Sequence, residues 1–202
     1  MTIAKTKERT YTPEEYLELE IASETRNEYR NGEIIEMTGG TPNHNELSGN
    51  LMVTLKTALK GKPYRVFIAD QRLWIPAANL HTYPDIMVVP KPIELQAGRK
   101  DTVTNPCFIA EVLSKSTQNY DRSEKFVAYR TIPSFGEYLM ISQYSIRVEH
   151  HVKTAPDQWL LSEYSDPNTI LTLSSFDLQL SLAEPLRMRI ADLYENIEFE
   201  DS

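Results

Sequence analysis

The chain has 202 residues, 41% of them hydrophobic and 25% charged, with 7 Gly and 12 Pro, which suits one folded domain over 1-202 and excludes a disordered, collagen-like or low-complexity chain. Lysine and arginine total 21 against 29 acidic residues, a formal net charge of -8, which argues against nucleic-acid binding through a broad basic surface while leaving room for a local basic groove. The single cysteine, Cys107, excludes an intrachain disulfide, and no run approaches the roughly 18 apolar residues of a membrane-spanning helix.

Thr12-Pro13-Glu14-Glu15 combines a capping hydroxyl, proline at the first helical position and glutamate three residues past the cap, predicting a helix over about 13–22. Glu28 to Ile35 places Asn31-Gly32 between two strand-like stretches, the signature of a tight hairpin. From His44 to Lys60 the leucines 47, 51, 55 and 59 recur every four residues, with Asn43 or Asn45 as cap and Gly61-Lys62-Pro63 as stop, predicting a long amphipathic helix. Strands are expected at 64–68, 71–75 and across Tyr83 to Val89, followed by a polar loop over 90–105 and a strand at 108–113. A helix over about 120–130, strands near 137–141, 147–152, 159–164 and 170–173, and a terminal helix over 190–196 complete the chain. This order predicts a mixed sheet flanked by helices, an α/β or α+β arrangement with an extra N-terminal hairpin and C-terminal strands.

Asp85 and Glu111 each interrupt an apolar strand, where an unpaired ionised carboxylate is costly to bury. Two carboxylates converging from neighbouring strands suit a hard divalent cation, with water and a substrate phosphate in the remaining positions. Each acid also has a structural reading: Glu111 bonded to a nearby cation or amide, and Asp85, just after Pro84, in a turn or cap.

Tyr83-Pro84-Asp85, followed by Glu111-Val112-Leu113-Ser114-Lys115-Ser116-Thr117, then Tyr120-Asp121-Arg122-Ser123-Glu124-Lys125-Phe126 and Tyr129-Arg130, resembles the Uma-two family of endonucleases within the PD-(D/E)XK superfamily. The resemblance extends upstream through Tyr11 to Tyr16, Glu28 to Ile34 and Pro42-Asn43-His44-Asn45, and downstream through Ile132-Pro133-Ser134, Glu137-Tyr138 and Leu182-Ala183-Glu184-Pro185. It implies a restriction endonuclease-like core, with Asp85 and Glu111 as metal ligands on adjacent strands. The superfamily's lysine two residues after the acid is replaced here by Leu113; the family carries a lysine at Lys125, on the following helix, which the resemblance makes the substitute. Lys115 and Arg122 are rival cations. His44 also matches a family histidine, and Glu46 could add an acidic ligand from the first helix, so both are accessory candidates; helix capping explains His44 equally well.

Elsewhere the expectations are structural. Glu28 and Tyr29 read as hairpin contacts, Gln71 and Arg72 as polar residues of an edge strand, and Cys107 as a small core residue. His150 and His151 alternate across a strand and so point to opposite faces. No Gly-rich phosphate loop, serine elbow or dinucleotide fingerprint is present, so no organic cofactor is expected. The leading expectation is a cytoplasmic Mg2+- or Mn2+-dependent endonuclease acting on DNA, with Asp85 and Glu111 holding metal and Lys125 assisting the attacking water. By analogy with restriction enzymes it is a homodimer, and no membrane partner is expected. A non-catalytic dimeric binding or regulatory protein on a nuclease-derived fold is the alternative. A third reading makes the carboxylates a structural ion pair.

Overall fold

The structure, a computed structural model, describes residues 9–176 and 185–199. Leu182-Ala183-Glu184 of the resemblance therefore lie outside the described residues. Helix α1 (Pro13–Ala22) carries the expected reciprocal cap between Thr12 and Glu15. It packs Tyr16 and Leu17 against Tyr29 of the hairpin β1 (Asn27–Arg30) and β2 (Glu33–Glu36). Asn31 and Gly32 take positive φ at the turn, at 49° and 99°, the conformation that a two-residue hairpin loop requires.

Helix α2 (Pro42–Ala58) begins earlier than the leucine pattern suggests. Thr41, rather than Asn43 or Asn45, is the cap, accepting from the His44 amide, with proline in the first turn. Leu47, Leu51 and Leu55 line its buried face. Then follow β3 (Tyr64–Ile68), β4 (Arg72–Ile75), β5 (Leu80–Thr82), β6 (Ile86–Pro90), β7 (Thr102–Val103) and β8 (Phe108–Leu113). Two of these correct the sequence reading. β5 was not expected, and the 90–105 stretch is not wholly loop, because Thr102 and Val103 pair in parallel with β4. Arg72 is likewise not at an edge, since β4 lies between β5 and β7; its guanidinium is buried against Tyr83 and Glu20.

The helix expected near 120–130 runs over 118–129 in three parts: α3 (Gln118–Tyr120), a π-helical turn over Asp121–Lys125, and α4 (Phe126–Tyr129). The chain continues through β9 (Glu137–Ser142), β10 (Val148–Ala155), β11 (Gln158–Tyr164), β12 (Ile170–Leu173), β13 (Leu186–Arg189) and α5 (Ile190–Leu193). β13 was missed, and the terminal helix is shorter than expected.

The central sheet has the order β11-β10-β9-β8-β6-β3, with β8 antiparallel to β6 and parallel to β9. Alternation along β6 and β8 divides the core. Ile86, Val88, Phe108, Ala110 and Val112 face α2 and the β12–β13 pair. Met87, Val89, Ile109 and Leu113 face residues from β4, β5 and β7 and from the 118–129 helix. Glu111, being odd-numbered on β8, shares the second face. Cys107 is buried in the first core as expected. His150 bonds Glu137 at 2.6 Å while His151 packs on Phe126, on opposite sides of β10. Among the described residues no helix is long and apolar enough to cross a membrane.

Candidate active site

Asp85 stands in the bend just before β6, and Glu111 in the middle of β8. The antiparallel register that sets Ile86 opposite Ala110 brings the two acids together: the Asp85 amide donates to Glu111 Oε2 at 3.3 Å, and the Val112 amide donates to Asp85 Oδ2 at 2.8 Å. Burial works against the charge on Asp85. The hydrogen bond and charge of His44, the Val112 amide and Lys125 outweigh it, holding the Asp85 carboxyl below the ordinary range. His44 Nε2 lies 3.2 Å from Asp85 Oδ2, and despite its own burial the Asp85 contact raises its pKa. Both side chains remain partly exposed, so this side of the cluster is open to solvent.

Glu111 is on the closed side. The Tyr129 hydroxyl donates to Oε1 at 2.6 Å and Lys125 Nζ reaches the same oxygen at 2.9 Å. Burial pushes the Glu111 pKa up to about 8; Lys125 opposes the rise, and Asp85 and Asp121 add to it. Lys125 is only 6% exposed. Burial alone would discharge it, yet Glu111, Glu28 and Asp121 hold its pKa well above the ordinary lysine value. Glu28 Oε1 and Asp121 Oδ1 each lie 3.5 Å from its ammonium.

The helix geometry explains why Lys125 points inward. Asp121 and Lys125 are four residues apart and stand at the two ends of the π-helical turn; such wide turns are frequent at functional sites. Glu28 arrives from β1, where it accepts from the buried Thr82 hydroxyl of β5. Arg30, two residues on, stacks its guanidinium 3.6 Å from the Tyr120 ring centroid. Three carboxylates, Glu111, Glu28 and Asp121, thus crowd around one ammonium. Among the described residues no three or more His, Cys, Asp or Glu side chains form a ready metal shell, so the cluster offers a cation two carboxylates and leaves its other positions to water or substrate. The side-chain contacts of Asp85 with Val112 and His44 both use Oδ2.

Residues 13–184 match the model of a family described as "Putative restriction endonuclease", Uma2. The chain belongs to the Uma2 family. Two uncharacterized Synechocystis proteins are similar to it: sll1609, 40% identical over 86% of this chain and 97% of its own length, and slr1290, 33% identical over 85% and 88%. A crystal structure from Anabaena variabilis, described as "a putative nuclease belonging to DUF820", superposes with a TM-score of 0.70 over 91% of this chain and 97% of its own, at 19% identity. That likeness is one of fold, and it bears out the mixed α/β, restriction endonuclease-like core.

Within this Uma2 chain the structure brings Asp85, Glu111, Lys125 and His44 together. It does not bring Glu46: two residues beyond His44 on α2, Glu46 projects from another side of the helix and is exposed. The rival cations are also elsewhere. Lys115 is exposed, with its ammonium 5.4 Å from the Tyr144 ring centroid, and Arg122 is engaged by Glu149 at 2.8 Å. Leu113 shares the Glu111 face but is buried among apolar side chains. Glu28 and Asp121 are the residues that sequence reasoning missed. The sequence reading makes Glu28 a hairpin contact; alternation sends it to the face of β1 opposite Tyr29, and both residues are buried.

Proposed function

We propose that this Uma2 protein is a metal-dependent endonuclease that hydrolyses phosphodiester bonds in DNA, with Asp85 and Glu111 binding Mg2+ or Mn2+ and Lys125 assisting the attacking water. The observation that carries the reading is the convergence on Glu111 of Asp85, whose amide lies 3.3 Å from Oε2, and of the Lys125 ammonium, 2.9 Å from Oε1.

The donor set fits a hard divalent cation. Such ions are commonly held by one or two carboxylates together with waters and substrate phosphates, and the cluster's surplus of buried negative charge favours an added cation. When bound, the metal would supply Lewis acidity toward the phosphodiester and a more acidic water. The chain's own part is placement. The Val112 amide and His44 fix Asp85, while the Tyr129 hydroxyl and the Asp85 amide orient Glu111. Lys125 carries a fixed positive charge beside the pair, suited to orienting a water and to stabilising charge that grows on the phosphoryl oxygens.

Calorimetric titration with Mn2+ and nicking of supercoiled plasmid DNA test this directly. The wild type is expected to bind Mn2+ and nick; Glu111→Ala is expected to lose both. Cleavage by Glu111→Ala with unaltered metal dependence would remove Glu111 from the mechanism. The proposal includes a homodimer joined through β11, the edge strand of the central sheet. The non-catalytic alternative finds its support in Lys125, which is already neutralised by internal carboxylates.

A further inference from the structure

Lys125 has more carboxylate partners than the nuclease reading requires. Glu111, at 2.9 Å, belongs to the proposed metal pair, whereas Glu28 and Asp121, each at 3.5 Å, do not. A divalent cation shared by Asp85 and Glu111 draws on the charge of the carboxylate that Lys125 approaches most closely, and it repels the ammonium. With Glu111 as sole anchor, Lys125 would lose its place whenever the site became active.

The two other carboxylates are held by separate means. Glu28 is fixed from the sheet side, by the Thr82 hydroxyl and by Arg30 Nη2 at 3.9 Å. Asp121 is fixed from the helix side, buried at the start of the π-helical turn whose last residue is Lys125. They approach Nζ from different elements, so together they define its position. Neither touches Asp85, Glu111 or His44 through any hydrogen bond or ion pair among the described residues. We infer that Glu28 and Asp121 are positioning residues that hold the Lys125 ammonium at the reaction centre while Glu111 is engaged by metal. This rests on the nuclease reading and assigns the site its supporting shell.

The test measures Mn2+ affinity by calorimetry and steady-state nicking of supercoiled plasmid DNA at saturating Mn2+, on wild type, Asp121→Asn, Asp121→Glu and Glu28→Gln, each normalised to the folded fraction from thermal melts. Displacing a catalytic group by about 1 Å costs on the order of 100-fold, so kcat at saturating Mn2+ is expected to fall about 10- to 100-fold in Asp121→Asn and Glu28→Gln, with KM for DNA unchanged and Mn2+ binding retained, weakened only by the loss of one nearby negative charge. Asp121→Glu, which keeps the charge, is expected to recover part of the loss. Should Asp121→Asn not fold, Glu28→Gln decides, because a glutamine can still accept from Thr82. Loss of Mn2+ binding in either variant would make that residue a ligand and overturn the inference. So would an unchanged kcat per folded molecule, or a change confined to KM. A wild type that neither binds Mn2+ nor nicks DNA sinks the nuclease reading and the positioning role with it. Wild-type nicking that the variants leave intact sinks the positioning role alone.

Discussion

At the scale of single residues, His81 shows how a buried ring becomes an acid-sensitive element. Its Nε2 lies 3.0 Å from the Gln96 side-chain oxygen, an acceptor, so Nε2 carries the proton. Nδ1 is buried with no hydrogen-bond partner, and the ring stacks 4.0 Å from Trp74 and packs on Tyr16 and Tyr29. A second proton would bury an unpaired charge among aromatic rings. Burial therefore pushes the His81 pKa down to about 4; Gln96 opposes the fall and Arg72 adds to it. Because the folded-state value lies below the unfolded one, the stabilisation is complete above about pH 6.5 and is lost as pH falls toward 4, by on the order of 2–3 kcal/mol. Melts of His81→Gln across this window should show a flatter decline than the wild type; equal slopes would remove His81 as a source. The same scale explains what could be read in the site. Asp85 and Glu111 were legible because a carboxylate inside an apolar run demands a partner. Asp121 was not, since it is one of several charges between 121 and 125, and a π-helical turn rather than the 3.6-residue period sets which of them turn inward.

Among the elements, long periodic segments were legible and short ones were not. α1, the hairpin and β8 follow from caps, Asn31-Gly32 and an apolar run. β5 and β7, of three and two residues, hold buried polar side chains such as His81, Thr82 and Thr102 that carry no strand signature on their own. The hairpin partner β11 raises a different issue, because its outer edge is unpaired by any strand of the described chain while Leu160 and Leu161 are 57% and 50% exposed. An unguarded edge of this kind is a template for another strand. A second copy suits it: antiparallel pairing centred on Leu161 sets Trp159 opposite Glu163 and Leu160 opposite Ser162, with no like charges facing. Light scattering at micromolar protein should give twice the 23.2 kDa chain mass, and Leu161→Lys, which opposes two ammonium groups at the centre, should give the monomer. A wild-type mass near 23.2 kDa rejects the pairing.

For the whole molecule, the cluster's charge balance separates the competing functional readings. Asp85, Glu111, Glu28 and Asp121 are scattered over 94 residues of sequence, from 28 to 121, and only the fold gathers the last three around Lys125 and sets Asp85 against Glu111. A divalent cation held by Asp85 and Glu111 within this gathered cluster therefore binds the native state and not the unfolded chain, and must raise the melting temperature by mass action. At a metal concentration 100 times Kd the gain is about 2.7 kcal/mol, which for a chain of this size corresponds to about 5–10 °C. A structural ion pair makes the opposite demand. Lys125 already neutralises Glu111, so added Mn2+ would do no more than a monovalent salt of equal ionic strength. The expected result is a Mn2+-specific rise in the wild type that Glu111→Ala abolishes. A rise of equal size in both proteins would place the metal elsewhere, and no rise in either would leave the cluster as an ion-pair network with no metal to serve.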